Sequence, residues 1–342
     1  MTAPAVEKHE LPPSVQMLQI ISGFWISRGV YALAKLGIPD LLKDGPKTAD
    51  ELASATNSHS QSLFRLLRAL ASVGIVTSKD ERFGLTPLSE TLVTDVPGSL
   101  RWFAVSELGQ EHYPAWGNLM HSLNTGEIAF DHLFGMDVWK YFSQNPEDAA
   151  TFNNSMSALT AVTNEAITRL YDFSSFNTLV DVGGGHGGLI TEILKSNPGL
   201  RGVLFDSPEV ITGARPKIEA AELADRCEMV SGDFFKAIPG GGDAYVMKWI
   251  IHDWDDQKAI TILKNCRTSM QPNSKLILLD CVVPEGNEPH FSKFIDLNML
   301  VMTGGKERTE KEFAELLSAA GFRLLRVIPT ELPTSIVESE PA

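Results

Sequence analysis

The segment WIIHDWDD, at residues 249–256, places groups that could move a proton at the end of an apolar run. His252 stands between Trp249 and Trp254, and carboxylates follow it, beginning with Asp253. An acidic partner can orient an imidazole and stabilise its cation, so this pattern suits a general base. A histidine that is satisfied by one carboxylate in a protein core has the same local sequence. The choice between these interpretations depends on what the rest of the chain brings to the same place.

A second segment, DVGGGHGG at residues 181–188, is typical of a strand, a glycine turn and a helix. Gly183, Gly185 and Gly188 satisfy the pattern G-x-G-x-x-G, which lets the backbone approach a ligand without an intervening side chain. Asp206 ends the next apolar run, near the spacing at which a carboxylate binds ribose hydroxyls. Both features suit a nicotinamide cofactor as well as S-adenosylmethionine, so they leave the two cofactors open.

The segment GDFF, at residues 232–235, discriminates between these cofactors. A third run that ends in Gly-Asp and an aromatic residue can hold adenine by one hydrogen bond and one stacking face. Asp206 or Asp233 alone could be a helix N-cap. Because both acids are in phase with the glycine turn, the pattern favours S-adenosylmethionine.

All of these groups follow short apolar runs in the second half of the chain, from Asn177 onward. Helical segments separate the runs, and this alternation indicates a parallel sheet with helices on both faces. In such sheets ligands bind beyond the carboxyl ends of the strands. The sequence therefore predicts one sheet edge that gathers Asp181, Asp206, Asp233, Lys248, His252 and Asp280.

The first hundred residues have a helical pattern that ends in a two-stranded wing at residues 75–93, which is the plan of a winged helix. Thr48 and Ser60 are predicted as helix N-caps. Many winged helices bind DNA, yet residues 1–100 hold nine Lys/Arg against ten Asp/Glu. The helix that would read DNA carries only Arg65 and Arg68 on an otherwise apolar surface. This composition favours burial against another chain over binding to a phosphate backbone.

The bulk composition sets the class of protein. The chain has 342 residues, 43% of them hydrophobic and 21% charged, with a formal net charge of -14. This length allows two domains, and the charge argues against a nucleic-acid partner. The three cysteines are scattered and match no zinc or disulfide spacing, which predicts free thiols in a reducing compartment. The N-terminus has no signal pattern and no apolar run suits a membrane span, so we expect a cytoplasmic protein without a membrane partner.

Several segments resemble one enzyme family in order and spacing, over nearly the whole chain. They are LVDVGGGHGG, GVLFDSPEVI, GDFFKAIPGGGDAYVMKWIIHDWDD, ILKNCRTSMQPNSKLILLD and DLNMLVMTGGKERTEKEFAELLSAAGF. The chain resembles the S-adenosylmethionine-dependent, metal-independent O-methyltransferases of the caffeate and hydroxyindole type. That resemblance implies an α/β fold, with a C-terminal doubly wound Rossmann-like sheet and an N-terminal α-helical winged-helix dimerisation domain. It also implies a homodimer and an aromatic small-molecule acceptor.

The resemblance also implies roles for individual residues. The cofactor would be held by Gly183, Asp206, Gly232, Asp233, Phe234 and Lys248. His252 would be the general base, flanked by Asp280 and Glu307. Many family members have Glu where this chain has Asp280, and the shorter side chain leaves open whether it holds His252 directly or through water.

The acceptor would be lined, by the same resemblance, by Phe152, Met156, Trp249, Asn298 and Met302. Apolar residues at helical spacing are as readily plain core. An amide within an apolar helix needs a partner, so Asn298 has a reason of its own to contact a ligand. We expect three segments: a dimerisation domain at 1–105, a helical connection lining the acceptor at 106–170, and a cofactor-binding catalytic domain at 171–342.

The expected chemistry is an SN2 methyl transfer assisted by a base, with no metal. S-adenosylmethionine carries an activated methyl group, so the protein must add alignment and a deprotonated oxygen. A phenol with a pKa of about 10 would cost roughly 5 kcal/mol to ionise against an unperturbed histidine, whose pKa is about 6.5. Acidic partners of His252, namely Asp280 and Glu307, would lower that cost.

Two other functions remain open at this stage. The first is a winged-helix regulator that uses the cofactor fold as a ligand sensor. The second is the same fold used for N- or C-methylation, hydroxylation or decarboxylation. A nicotinamide dehydrogenase is disfavoured, because it would leave the GDFF and HDW segments without a role.

Overall fold

The computed structural model describes residues 11–342, without the side chains of residues 161 and 162. The described chain divides after Gly109 into two compact units. The three-segment division at residues 105 and 170 stays a prediction. In the described part no helix is long and apolar enough to cross a membrane. Cytoplasmic location likewise stays a prediction.

The first unit is helical, with a small antiparallel sheet. Its helices are α1 (Pro13–Lys35), α2 (Ile38–Leu42), α3 (Ala49–Thr56), α4 (Ser60–Ser72), α5 (Pro87–Glu90) and α6 (Arg101–Glu107). Its strands are β1 (Lys47–Thr48), β2 (Val76–Lys79) and β3 (Arg82–Leu85), in the order β1-β3-β2. Strands β2 and β3 form the predicted wing after α3 and α4, which confirms the winged-helix plan.

The helix starts in this unit follow local capping chemistry. Thr48 is the N-cap of α3, as predicted: its hydroxyl accepts from the backbone N–H of Glu51, whose carboxylate accepts from the N–H of Thr48. The prediction of Ser60 as the next cap is wrong by one residue. His59 caps α4 through Nδ1, while the Ser60 hydroxyl donates to Asp50 of α3.

The second unit alternates strands and helices after a helical entry. Its helices are α7 (His112–Gly117), α8 (Leu119–Thr125), α9 (Ala129–Phe134), α10 (Val138–Gln144), α11 (Pro146–Leu170), α12 (Gly188–Ser196), α13 (Pro208–Ala220), α14 (Asp256–Ser269), α15 (Ser292–Met302) and α16 (Glu310–Ala319). Its strands are β4 (Thr178–Val182), β5 (Arg201–Asp206), β6 (Cys227–Ser231), β7 (Ala244–Lys248), β8 (Lys275–Cys281), β9 (Phe322–Pro329) and β10 (Thr334–Pro341).

These strands form one sheet in the order β6-β5-β4-β7-β8-β10-β9. The first five are parallel, which confirms the predicted sheet. Strand β10 runs antiparallel to both β8 and β9, and this closing hairpin was not predicted from the sequence. The strand order reverses between β4 and β7, so a crevice opens beyond their carboxyl ends.

The central strands are buried on both faces. Val180 and Val182 pack into a core with helices α14 and α16, whereas Leu179 packs on the other face with α12 and α13. Double burial explains why the runs are continuously apolar rather than alternating. The three cysteines are free and buried, as expected.

Candidate functional site

A short turn, rather than a strand end, presents the candidate base. The apolar strand was expected to end on His252, but β7 ends four residues earlier, at Lys248. Trp249 then adopts a left-handed φ of 54°, and a 3₁₀ turn, Ile251–Asp253, carries His252. This φ is unfavourable for a bulky residue, and the indole N–H of Trp249 holds it by donating to Thr334 Oγ1 at 3.1 Å. The conformation breaks the strand and turns the chain across the sheet edge.

The His252 imidazole is bound by one carboxylate. Its Nδ1 lies 2.7 Å from Glu307 Oε1, and the side chains are 12% and 0% exposed, respectively. Because an ionised carboxylate can only accept, Nδ1 carries a proton, and in the neutral ring Nε2 has the lone pair. The nearest acid to Nε2 is Asp253, whose Oδ1 is 3.8 Å away, beyond hydrogen-bond distance. Nε2 is therefore the atom that can accept a proton.

Asp280 acts on this imidazole through its field. It is fully buried, and among the described residues neither carboxyl oxygen has a hydrogen-bond partner, so it does not hold His252 directly. Burial raises the pKa of Asp280 to about 7, and the charge of Glu307 adds to this. Burial likewise raises the pKa of Asp253 to about 6. Burial alone would lower the pKa of His252, but the carboxylates of Glu307, Asp253 and Asp280 raise it to about 10.

The loop after α15 packs against the turn that carries His252. It contains two residues, Gly305 and Arg308, that were not predicted from the sequence. The N–H of Lys306 donates to the carbonyl of His252 at 2.8 Å. A Cβ on Gly305 would lie 1.9 Å from that same carbonyl oxygen, so only glycine fits there. Arg308 is fully buried beside the turn. Gly305 and Arg308 both lie in the segment GGKER, on either side of the predicted Glu307. Their position next to Glu307 could have indicated both residues.

The predicted glycine turn follows β4 directly. Gly183, Gly185 and Gly187 have φ values of 69°, 58° and 78°, which favour glycine. A Cβ on Gly183 would meet Ile250 Cδ1 at 2.4 Å. Helix α12 begins immediately afterwards, so its free backbone N–H groups lie next to the turn. A Cβ on Gly185, in contrast, would meet open space, so the backbone of the turn is accessible at that residue.

The two predicted acids border this turn differently. Asp206 accepts from the N–H groups of Gly185, at 2.9 Å, and of Ser207, at 2.7 Å, and burial raises its pKa. Asp233 is more exposed, and a hydrogen bond from the N–H of Phe235 lowers its pKa. The carbonyl of Asp206 accepts from the N–H of Gly232 at 2.9 Å, which ties the ends of β5 and β6 together.

Aromatic rings and Lys248 complete this edge. The Phe234 ring lies near Gly183, 3.8 Å from a Cβ built there, and 6.1 Å from the Trp254 ring. Lys248 Nζ donates to Thr163 and to Asn164 Oδ1 on α11, and burial lowers its pKa to about 7. An open backbone cradle, a carboxylate in contact with it and an aromatic face fit an adenosine-containing cofactor.

The predicted acceptor residues are brought together only in part. Phe152 packs against a buried cluster that includes Met302, which is 2% exposed. Asn298 lies one helical turn before Met302, and its Oδ1 accepts from the indole N–H of Trp116 at 2.7 Å. Met156 lies one turn after Phe152 on α11 and is partly buried. Trp249 is anchored instead to β10, and the structure does not show it among this cluster.

The fold and the site together define an α/β protein whose sheet edge carries a glycine turn, carboxylates and an aromatic face, with a histidine paired to a buried carboxylate beside them. Comparison with known proteins makes this class specific. The profile of the O-methyltransferase domain matches residues 116–323, and that of the O-methyltransferase dimerisation domain matches residues 18–95. The chain belongs to this O-methyltransferase family, whose cofactor is S-adenosylmethionine.

Three similar proteins illustrate the family. A phenazine O-methyltransferase of Lysobacter antibioticus is 43% identical over 97% of each chain. An 8-amino-8-demethylriboflavin N,N-dimethyltransferase of Streptomyces davaonensis is 33% identical over 90% of each chain. An O-methyltransferase from neocarzinostatin biosynthesis was solved with S-adenosylmethionine and 2-hydroxy-5-methyl naphthoic acid. That structure has a TM-score of 0.82 and 31% identity, over 92% of this chain and 96% of the other.

Proposed function

We propose that this enzyme methylates a hydroxyl group, of phenolic character, on an aromatic small molecule, with His252 as the general base. The observation that carries the proposal is the pairing of His252 Nδ1 with Glu307 at 2.7 Å. This bond fixes the tautomer and leaves Nε2 to take the acceptor's proton. A histidine needed only for packing would not require a second and a third buried acid nearby.

The cofactor would be held by the cradle and its bordering residues. Gly183 and Gly232, where Ile250 and Phe205 leave no room for a side chain, would line the cofactor with backbone. Asp206 would take the ribose hydroxyls, and Asp233 and Phe234 would hold adenine. Lys248 would meet the cofactor at the end of β7. Bound S-adenosylmethionine supplies a methyl group on a sulfonium, whose charge is lost on transfer. Water stabilises the charged sulfonium of the ground state more than the transition state, in which this charge is dispersed. A dry, apolar site therefore lowers the barrier to transfer.

The acids around His252 make proton removal from a phenol nearly balanced. Without them the imidazole and the phenol would differ by about 3.5 pH units, or roughly 5 kcal/mol. Since Glu307, Asp253 and Asp280 raise the pKa of His252 to about 10, the two groups become matched. Glu307 stabilises the imidazolium by contact and Asp280 by its field. At neutral pH the imidazole is then largely charged. It must therefore lose its Nε2 proton to solvent before it can take the proton of the acceptor hydroxyl.

The acceptor would lie against the apolar cluster that holds Phe152 and Met302, with Met156 and Asn298 beside it. Trp249, which is anchored to β10, would contact it from outside that cluster. The named acceptors of relatives, a phenazine and a naphthoic acid, are flat aromatic molecules that would suit such an apolar cluster. N-methylation is the second candidate, because one relative is named for an amine acceptor. The matched pKa of His252 favours the hydroxyl, since a neutral arylamine needs no base before it attacks.

A homodimer is part of this proposal. The first unit carries the dimerisation domain, and α1 exposes many apolar side chains, with Ile20 at 72% and Trp25 at 68% exposed. An apolar surface of this kind in a dimerisation domain suits a symmetric contact between two copies.

The test is transfer of labelled methyl from S-adenosylmethionine to matched pairs of hydroxy- and amino-substituted phenazines, naphthoates and indoles. We expect the hydroxyl member of one class to be methylated and its amino analogue to be at least 100-fold slower. Equal or faster transfer to the amine would reject O-methylation. Binding of the cofactor without transfer to any member would reject the proposed aromatic acceptor.

A further inference from the structure

The fully buried side chain of Arg308 uses every donor that it has. Nη1 donates to the carbonyls of Ile251 and Lys306, each at 3.1 Å. Nη2 donates to the carbonyl of Trp254 at 2.9 Å and to Asp256 Oδ1 at 2.8 Å. Nε donates to the same Asp256 oxygen at 3.0 Å. A guanidinium has five N–H donors, so this set is complete.

The three carbonyls belong to the two segments that form the catalytic pair. Ile251 and Trp254 bracket His252 on its short turn, and Lys306 directly precedes Glu307. One rigid planar group therefore fixes both ends of the base-bearing turn relative to the backbone that carries the acid. The Lys306 N–H to His252 carbonyl bond, at 2.8 Å, lies within the same frame.

The charge of Arg308 has a second effect on this site. The guanidinium lowers the pKa of Asp280, against the raising effects of burial and of Glu307. It thus favours the ionised form of Asp280, whose charge supports an imidazolium. Lysine would keep the charge but has a single, flexible point of attachment, whereas the planar fork is what reaches three carbonyls at once.

We propose that Arg308 is a positioning residue for the methyl transfer, which holds His252 and Glu307 in reacting geometry without touching the substrate. This inference rests on the proposed role of His252. Misplacement of a reacting group by about 1 Å can cost about 100-fold in rate, which sets the expected effect of loosening this frame.

The test uses the full-length protein with Arg308→Lys and Arg308→Met, and Asp256→Asn as the matched control. Asp256 is 62% exposed, and its amide still offers an oxygen to the guanidinium, so the control keeps the three carbonyl bonds. We expect kcat to fall about 10- to 100-fold for Lys and further for Met. The acceptor KM and the Kd of S-adenosylhomocysteine should stay within 3-fold, and Asp256→Asn should keep near-normal kcat.

A spectroscopic readout separates positioning from general stability. The proton between His252 Nδ1 and Glu307 should give a far-downfield proton NMR signal, identified by its loss in His252→Ala. We expect this signal to weaken or shift in the Arg308 variants and to persist in Asp256→Asn. Wild-type kcat in Arg308→Lys and Arg308→Met would overturn the inference, as would loss of S-adenosylhomocysteine binding together with kcat in both variants. Full activity of His252→Ala would instead reject the proposed base, whatever the Arg308 variants do.

Discussion

Replacing Glu307 with Gln tests how the buried acids set the strength of the base. The substitution keeps an oxygen that can accept from His252 Nδ1 but removes the charge 2.7 Å away. Burial lowers the pKa of His252, and the carboxylates overcome this effect, so the net change is from 6.5 to about 10, which is about 3.5 pH units or roughly 5 kcal/mol. Among the carboxylates, Glu307 raises the pKa of His252 most, and it also accepts a hydrogen bond from the ring. An opposite charge in direct contact typically shifts a pKa by about 1 to 3 units, so we take about 2 pH units for Glu307, or roughly 2.7 kcal/mol, which is about 100-fold in rate when the rate follows base strength.

The assay is kcat/KM for the phenolic acceptor between pH 6 and 10.5, at saturating S-adenosylmethionine. The wild type should gain activity as pH rises toward about 10, because the charged imidazole must lose its proton. In Glu307→Gln the same rise should occur about 2 pH units lower and reach a plateau about 100-fold below the wild type. Near pH 7 the two enzymes should therefore differ little.

Glu307→Asp is the matched control, since it keeps the negative charge but shortens the side chain that bonds His252 Nδ1. It should leave the position of the pH rise close to that of the wild type while lowering the plateau. An unchanged rise in Glu307→Gln, with S-adenosylhomocysteine binding intact, would refute the claim that this carboxylate sets the pKa of the base.

Three further outcomes are expected. Asp280→Asn should raise the free energy of unfolding, by an amount that grows from pH 4 to pH 7 and reaches about 4 kcal/mol. The reason is that the carboxyl ionises near pH 3.8 in the unfolded chain but near pH 7 in the folded protein. An equal gain in the free energy of urea unfolding at pH 4 and pH 8 would contradict this. Gly183→Ala should weaken S-adenosylhomocysteine binding more than 10-fold in calorimetry, whereas Gly199→Ala, which meets open space, should not. Trp25→Glu on α1 should yield monomers in sedimentation, and a dimer of unchanged affinity would reject that surface.

The sheet edge that gathers these polar residues could be predicted, because apolar runs alternating with helical segments and a glycine turn specify it locally. Once the runs are parallel strands, their polar ends must meet at one edge, and Asp206 and Gly185 are in direct contact there. The position of His252 could not be predicted to the residue. Its turn depends on the positive φ of Trp249, which is fixed by a hydrogen bond to Thr334, 85 residues away.

The closing hairpin of β9 and β10 escaped prediction for a related reason. Its strands mix charged with apolar residues, which obscures an alternating pattern. Arg326 and Glu338 lie opposite each other in the register and form an ion pair at 2.5 Å, so the charges are satisfied across the strands. Arg308 was missed likewise, because four of its five hydrogen bonds reach a segment more than fifty residues away in sequence.

The central claim is that His252 removes the acceptor's proton. The most direct measurement is the single-turnover rate of labelled methyl transfer to the preferred phenol at pH 9, for the wild type and His252→Ala, with cofactor affinity measured in parallel. We expect a loss of about 100- to 10,000-fold in the variant, with S-adenosylmethionine affinity unchanged. A folded variant that binds the cofactor and transfers methyl within 3-fold of the wild-type rate would contradict the claim.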